Sequence, residues 1–202
     1  MDFPIISIMI FLPIVGAVAV YLAGRSSVRV AKIGPLIISL VVLALSIYAY
    51  ALMFLNGGGG RFFGSFVEGP WPWIPAFRGV EYHVGMDGLS APLVLITAFL
   101  TVLVVLGSWD LISEKQAVYY SLIMLFEGAM VGVFTSINLI LFYVFWELVL
   151  IPMFFFIGVW GGPRRKYAAM KFIIFTYVGS IIMLLAIIAF YLFSTPNTFD
   201  MV

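Results

Sequence analysis

About six stretches of roughly 20 or more mostly apolar residues recur along the chain, and that length leaves little choice of fold. They run over approximately 4–23, 33–55, 88–108, 117–136, 138–160 and 168–193. A helix of roughly 20 residues spans the ~30 Å hydrocarbon core of a bilayer, and helices satisfy their own backbone groups there. With 64% hydrophobic and 9% charged residues, the chain carries more apolar surface than a soluble domain can hide. The expected fold class is an all-α polytopic membrane protein with the lipid bilayer as its solvent.

Composition also narrows the chemistry. The absence of cysteine excludes disulfides, Cys-ligated zinc and iron–sulfur ligation within these residues. A formal net charge of +1 gives no nucleic-acid footprint. The first apolar stretch is not patterned as a signal peptide, because Asp2 precedes it and Arg25, Arg29 and Lys32 follow it. Six helices put successive connections on alternate sides. Arg25, Arg29, Lys32, Lys115, Arg164, Arg165, Lys166 and Lys171 then share one side, eight of the ten basic residues, while Arg61 and Arg78 lie on the other. The positive-inside rule makes the basic side cytoplasmic and places the N-terminus outside.

One connection is long. "NGGGGRFFGSFVEGPWPWIPAFRGVEYHVGMDG" (56–88) combines a glycine run with three prolines, which forbid a continuing helix. Trp71 and Trp73 suit the membrane interface, and "GVEYHVG" suggests a short strand or hairpin on the outer surface. His83 is the sole histidine, and one histidine without further ligands makes a poor metal site. No internal repeat stands out, and "STPNTFDMV" reads as a loop past the sixth helix with no further domain.

Only Glu127 and Glu147 lie well inside the apolar stretches. At 1.5 Å per residue, Glu127 comes out about 15 Å and Glu147 about 13 Å from the ends of their helices. A very short outer turn joins those helices, so the two acids are expected at similar depth on neighbouring antiparallel helices. A charged acid at the bilayer centre costs roughly 2.5–3.5 kcal/mol on insertion scales. Burial favours the neutral carboxyl and a nearby cation the charged one, so an acid poised between them can gain and lose a proton. That suits a proton relay. A protonated Glu acting as interhelical hydrogen-bond glue is the plainer alternative, and it weighs more heavily for Glu127.

Several neighbours bear on this choice. Pro152 removes the backbone bond to the Leu148 carbonyl beside Glu147, which invites an ordered water. Gly128 and Gly132 form a small-xxx-small face for close packing, with Gly179 and Ser180 in a similar role. Lys171 either snorkels to the headgroups or points inward as a relay partner. There is no Ser/His/Asp set, no phosphate-cradling loop and no dinucleotide fingerprint.

"VGMDGLSAPLVLITAFL" (84–100), "FEGAMVGVFTSINLILFYVFWELVLIPMFFFIGVWGG" (126–162) and "YAAMKFIIFTYVGS" (167–180) resemble the antiporter-like membrane subunits of respiratory complex I. The likeness is to the chain M type, including its archaeal counterpart in F420H2 dehydrogenase. It implies the first part of an antiporter-like inverted-repeat fold, with residues 1–116 holding helices 1–3 and an outer loop at 56–87. Residues 117–202 would then hold helices 4–6 and begin the first repeat. It implies proton translocation driven by distant redox chemistry, through Glu147, Glu127 and Lys171, inside an assembly with other membrane subunits. No cofactor is implied for this chain, and the expected location is the cytoplasmic (cell inner) membrane of a prokaryote. Family members have about fourteen helices in two inverted repeats, so the chain is expected to be a truncated product or one piece of a split subunit. A subunit of a multisubunit sodium/proton antiporter and a structural membrane scaffold are the alternatives, while no polar pocket pattern favours a quinone-binding subunit.

Overall fold

A computed structural model of the chain describes residues 4–55, 66–74, 79–194 and 198–201. The apolar stretches fold as six helices: α1 (Ile5–Gly24), α2 (Val28–Leu55), α3 (Ser90–Gly107), α4 (Gln116–Thr135), α5 (Leu139–Trp160) and α6 (Arg165–Phe193). Each is long and apolar enough to cross a membrane. Two boundaries lie beyond the hydropathy limits. α2 begins at Val28 and α6 at Arg165, so both take basic residues into their first turns. Long cationic side chains permit this, because their stems cover apolar surface while their heads reach polar partners. Lys32 donates to the Trp109 carbonyl and sits 5.6 Å from the centre of its ring. Arg165 donates to the carbonyl of Val159.

α4 is the most deeply packed helix, meeting α1, α2, α3 and α5. Gly128 brings α1 close, since a Cβ there would lie 2.6 Å from the Ile10 carbonyl and from Cγ1 of Ile14. Gly132 instead receives the Phe145 ring of α5. The small-residue face thus serves two different neighbours. Gly179 has nothing within 4 Å of its Cβ position among the described residues, whereas Ser180 is buried. The main core joins Ile6, Met9 and Ile10 of α1 to Val94 and Ala98 of α3, Val131 of α4, and Leu141 and Phe145 of α5. It therefore runs across the 116/117 boundary. α6 packs on α5 and leaves most of its apolar surface exposed.

The long connection contains a two-stranded antiparallel sheet, β1 (Phe66–Pro72) and β2 (Glu81–Met86), with an irregularity between Glu68 and Trp71. Gly69 stands there at φ +99°, a backbone region open to glycine. The strand expected at "GVEYHVG" is β2. The glycine run and Arg61, like Arg78, lie outside the described residues. Contacts define two faces of the bundle. On one, the hairpin meets the start of α1, the α4–α5 turn and the segment after α6. On the other, the α1–α2 turn meets the start of α4, and Trp160 donates to the Glu114 carbonyl.

Candidate functional site

α5 starts from a built cap. Asn138 is fully buried, and its side-chain oxygen accepts from the amides of Ile140 (3.2 Å) and Leu141 (3.4 Å). That satisfies two of the helix's unpaired amides. Its Nδ2 donates to the Gly79 carbonyl and to Oδ1 of Asp200, each at 2.8 Å. Oδ2 of Asp200 lies 3.0 Å from Nδ1 of His83. Backbone bonds reinforce the knot, from the Ile137 amide to the His83 carbonyl, from Met201 to Ile137 and from Leu139 to Phe199. The single histidine is thus tied to one acid. Among the described residues, no group of three or more His, Cys, Asp or Glu comes together.

From that cap the acids can be placed. Glu147 lies eight residues into α5 from Leu139, and Glu127 lies eight residues from the end of α4 at Thr135. Both therefore sit about 12 Å in from the hairpin side. The depths match. The faces do not. Phe145 of α5 packs against Gly132 of α4, and at 100° per residue Glu147 is turned about 160° away from Phe145. Tyr143, one turn before Glu147, accepts a hydrogen bond from Ser180 of α6. Glu147 accordingly faces the α6 side of its helix. Glu127 is turned about 140° from Gly132 and looks away from α5.

Glu127 is fully buried, and neither of its carboxyl oxygens has a hydrogen-bond partner among the described residues. Glu147 is half-buried, with Oε1 enclosed and likewise unpartnered. Pro152 lies within α5, which continues through it. Lys171 is exposed. Ala169 and Ser180 mark the α6 face that meets α5, and Lys171 stands about 160° from the first and 180° from the second. The structure does not bring Lys171 to either acid.

The hairpin side carries further polar positions that sequence reasoning passed over. Glu68 of β1 accepts from the amides of Ile6 (2.7 Å) and Ser7 (3.0 Å) and from the Ser7 hydroxyl, capping α1 from a distance. The Ser7 hydroxyl also meets that of Tyr82 at 2.8 Å. Burial pushes the Tyr82 phenol up, the Ser7 bond pulls it down, and the Glu68 charge adds to the rise. Asp87 opens α3, accepting from the amides of Ser90 and Leu89. Burial pushes its carboxyl upward, yet these bonds outweigh it and hold the group below its usual value. An Asn directly before an apolar run is the one signal that could have revealed the α5 cap. Nothing in the sequence marks Glu68 as the cap of α1.

Comparison with known proteins gives this geometry a context. The family model described as NADH:quinone oxidoreductase/Mrp antiporter, TM, matches residues 136–202, and that of NADH-ubiquinone oxidoreductase chain 4, amino terminus, matches 61–132. NADH-quinone oxidoreductase subunit M of Rickettsia prowazekii is 38% identical over 202 residues, covering 100% of this chain and 40% of that protein. F420H2 dehydrogenase subunit M of Methanosarcina mazei is 37% identical over 184 residues, covering 91% and 36% respectively. Among solved structures, respiratory complex I from Thermus thermophilus matches with TM-score 0.79 at 28% identity, over 96% of this chain and 38% of that one. The Mrp complex from Dietzia sp. matches with TM-score 0.73 at 20% identity, over 96% and 20%, which shows a shared fold. The chain spans about two fifths of the length of the subunit M relatives it matches. Over that span it belongs to the antiporter-like membrane-subunit family that includes subunit M of NADH-quinone oxidoreductase and of F420H2 dehydrogenase.

Proposed function

We propose that this chain forms part of a proton-translocating membrane subunit of a respiratory complex I-like oxidoreductase. In this reading remote redox chemistry drives protons through buried carboxylates. The observation that carries it is Glu147, a half-buried acid about 12 Å into its helix with one enclosed and unpartnered oxygen. Such a group is costly in a bilayer and signals function by default. Glu127 is the second relay candidate, at equal depth on another face. Lys171, turned away from α5, can serve as a relay group only toward a partner beyond these six helices. The partners are other membrane subunits, and α4 to α6 begin the first of two inverted repeats. The basic side faces the cytoplasm in the inner membrane of a prokaryote, with the N-terminus outside. Labelling of a Ser27→Cys variant from the cytoplasm only is the expected sign of that orientation.

The test is Glu147→Gln in the complete assembly, because Gln keeps size and hydrogen bonding but lacks a titratable proton. Coupled proton transport should be lost while the complex still assembles, and Glu147→Asp should retain part of it. Transport at the unmodified rate in an assembled Glu147→Gln complex would sink the relay assignment. A second reading, a subunit of a multisubunit sodium/proton antiporter, draws on the family model and fold shared with the Mrp complex. Sodium transport without electron transfer would favour it.

A further inference from the structure

Between α5 and α6 the bundle gathers polar side chains about 6–12 Å in from the hairpin side. Ser180 is 3% exposed and donates to the Tyr143 phenol at 3.5 Å, a long bond joining the two helices. Tyr143 precedes Glu147 by one turn, about 6 Å along α5 and only about 40° around it. The helices are antiparallel neighbours in sequence. With Tyr143 level with Ser180, Glu147 is therefore level with Thr176, one turn before Ser180. Thr176 donates to the Phe172 carbonyl at 2.7 Å, which leaves its oxygen free to accept. One carboxyl and three hydroxyls thus share a single apolar seam.

We infer that Tyr143 and Ser180 carry the proton of Glu147 one helical turn toward the hairpin side. This rests on the relay role proposed for Glu147. Three features support it. A hydroxyl both donates and accepts, so it can pass on a proton and remain neutral. The enclosed Oε1 of Glu147 has no partner among the described residues, so it is open to a bond from within the seam. In this proposal water connects it with the Tyr143 phenol, because water bridges groups too far apart for a direct bond. In each hop the O–H bond of the donor breaks as one forms on the acceptor, whose own proton moves onward. No electrons transfer and every hydroxyl ends uncharged.

The seam has a definite end. Val80, Ile187 and Phe199 form a buried apolar cluster against which Tyr143 packs. On its far side stands the polar knot of Asn138, Asp200 and His83. The geometry points to a short polar segment capped by a dry layer, so that the proton stays on the Glu147 carboxyl until the layer at Ile187 and Phe199 is breached and water beyond it accepts the proton that Tyr143 gives up.

The test uses the assembled complex in liposomes, reading proton transport per electron transferred alongside assembly. Tyr143→Phe removes only the hydroxyl. Transport should fall about tenfold, less than the roughly hundredfold or more a positioned proton-transfer group supplies, because water can occupy the vacated space. Ser180→Ala should fall in the same direction and Ser180→Thr should recover, while redox turnover with an artificial acceptor is retained in all three. If Glu147→Gln abolishes transport but Tyr143→Phe and Ser180→Ala transport normally, the seam is not the path and the relay reading survives. If Tyr143→Phe fails to assemble, equal transport by Ser180→Ala and Ser180→Thr overturns the inference. Normal transport by Glu147→Gln overturns both.

Discussion

Asn138→Ala isolates the knot that starts α5. The alanine methyl cannot accept from Ile140 and Leu141, and loss of an N-cap typically costs ~1 kcal/mol. It also withdraws the donor from the Gly79 carbonyl and from Asp200 Oδ1. Leaving a buried acceptor unpaired costs about 1–3 kcal/mol. Asp200 still holds His83, so the larger share of that cost falls at Gly79. The expected destabilisation is therefore about 2–4 kcal/mol. Asn138→Ser separates the contributions, because a hydroxyl keeps the cap acceptor but cannot reach both Gly79 and Asp200; its loss should be about half as large. Reversible unfolding in mixed micelles titrated with denaturing detergent measures both. A change below about 0.5 kcal/mol for Asn138→Ala, the ordinary range of a surface substitution, would refute the account. Equal losses for Ala and Ser would show that the cap itself contributes nothing.

Gly128→Ala should destabilise by about 1–3 kcal/mol through overpacking against Ile10 and Ile14, despite alanine's better helix propensity. Gly179→Ala, where nothing lies within 4 Å among the described residues, should be neutral or slightly stabilising in the same unfolding assay. Asp87 has a depressed folded-state pKa, so its contribution is present above the unfolded value of about 3.9 and disappears as pH falls through the folded value. The stability gap between the unmodified chain and Asp87→Asn should therefore close on acidification; a gap that widens toward low pH would contradict this.

Hydropathy located the helices because bilayer crossing is a one-dimensional demand on length and apolarity. Their depths were legible for the same reason, which is why Glu127 and Glu147 were expected level with each other. Their facing was not. Which side of α5 meets α4 depends on Phe145 finding Gly132, and which side meets α6 depends on Tyr143 finding Ser180; both are tertiary events. Lys171 illustrates the point, since its sequence position permits an inward or an outward direction and only the packing of Ala169 on α5 decides. β1 escaped notice because "FVEGPWP" reads as turn chemistry, yet an irregular pairing with β2 accommodates its Gly and Pro residues.

The distant cap on α1 also has a consequence in time. Ile6 and Ser7 are held by a carboxylate 62 and 61 residues further along the chain. At about 5–20 residues per second of synthesis, Glu68 emerges roughly 3–12 s after them. During that interval the amides of Ile6 and Ser7 must rely on water or headgroups at the membrane surface. The first helix is therefore inserted before its end is finished, and the second must be threaded and the hairpin folded back before it is sealed. A ribosome pausing between these events would hold a two-helix intermediate whose first end is still open.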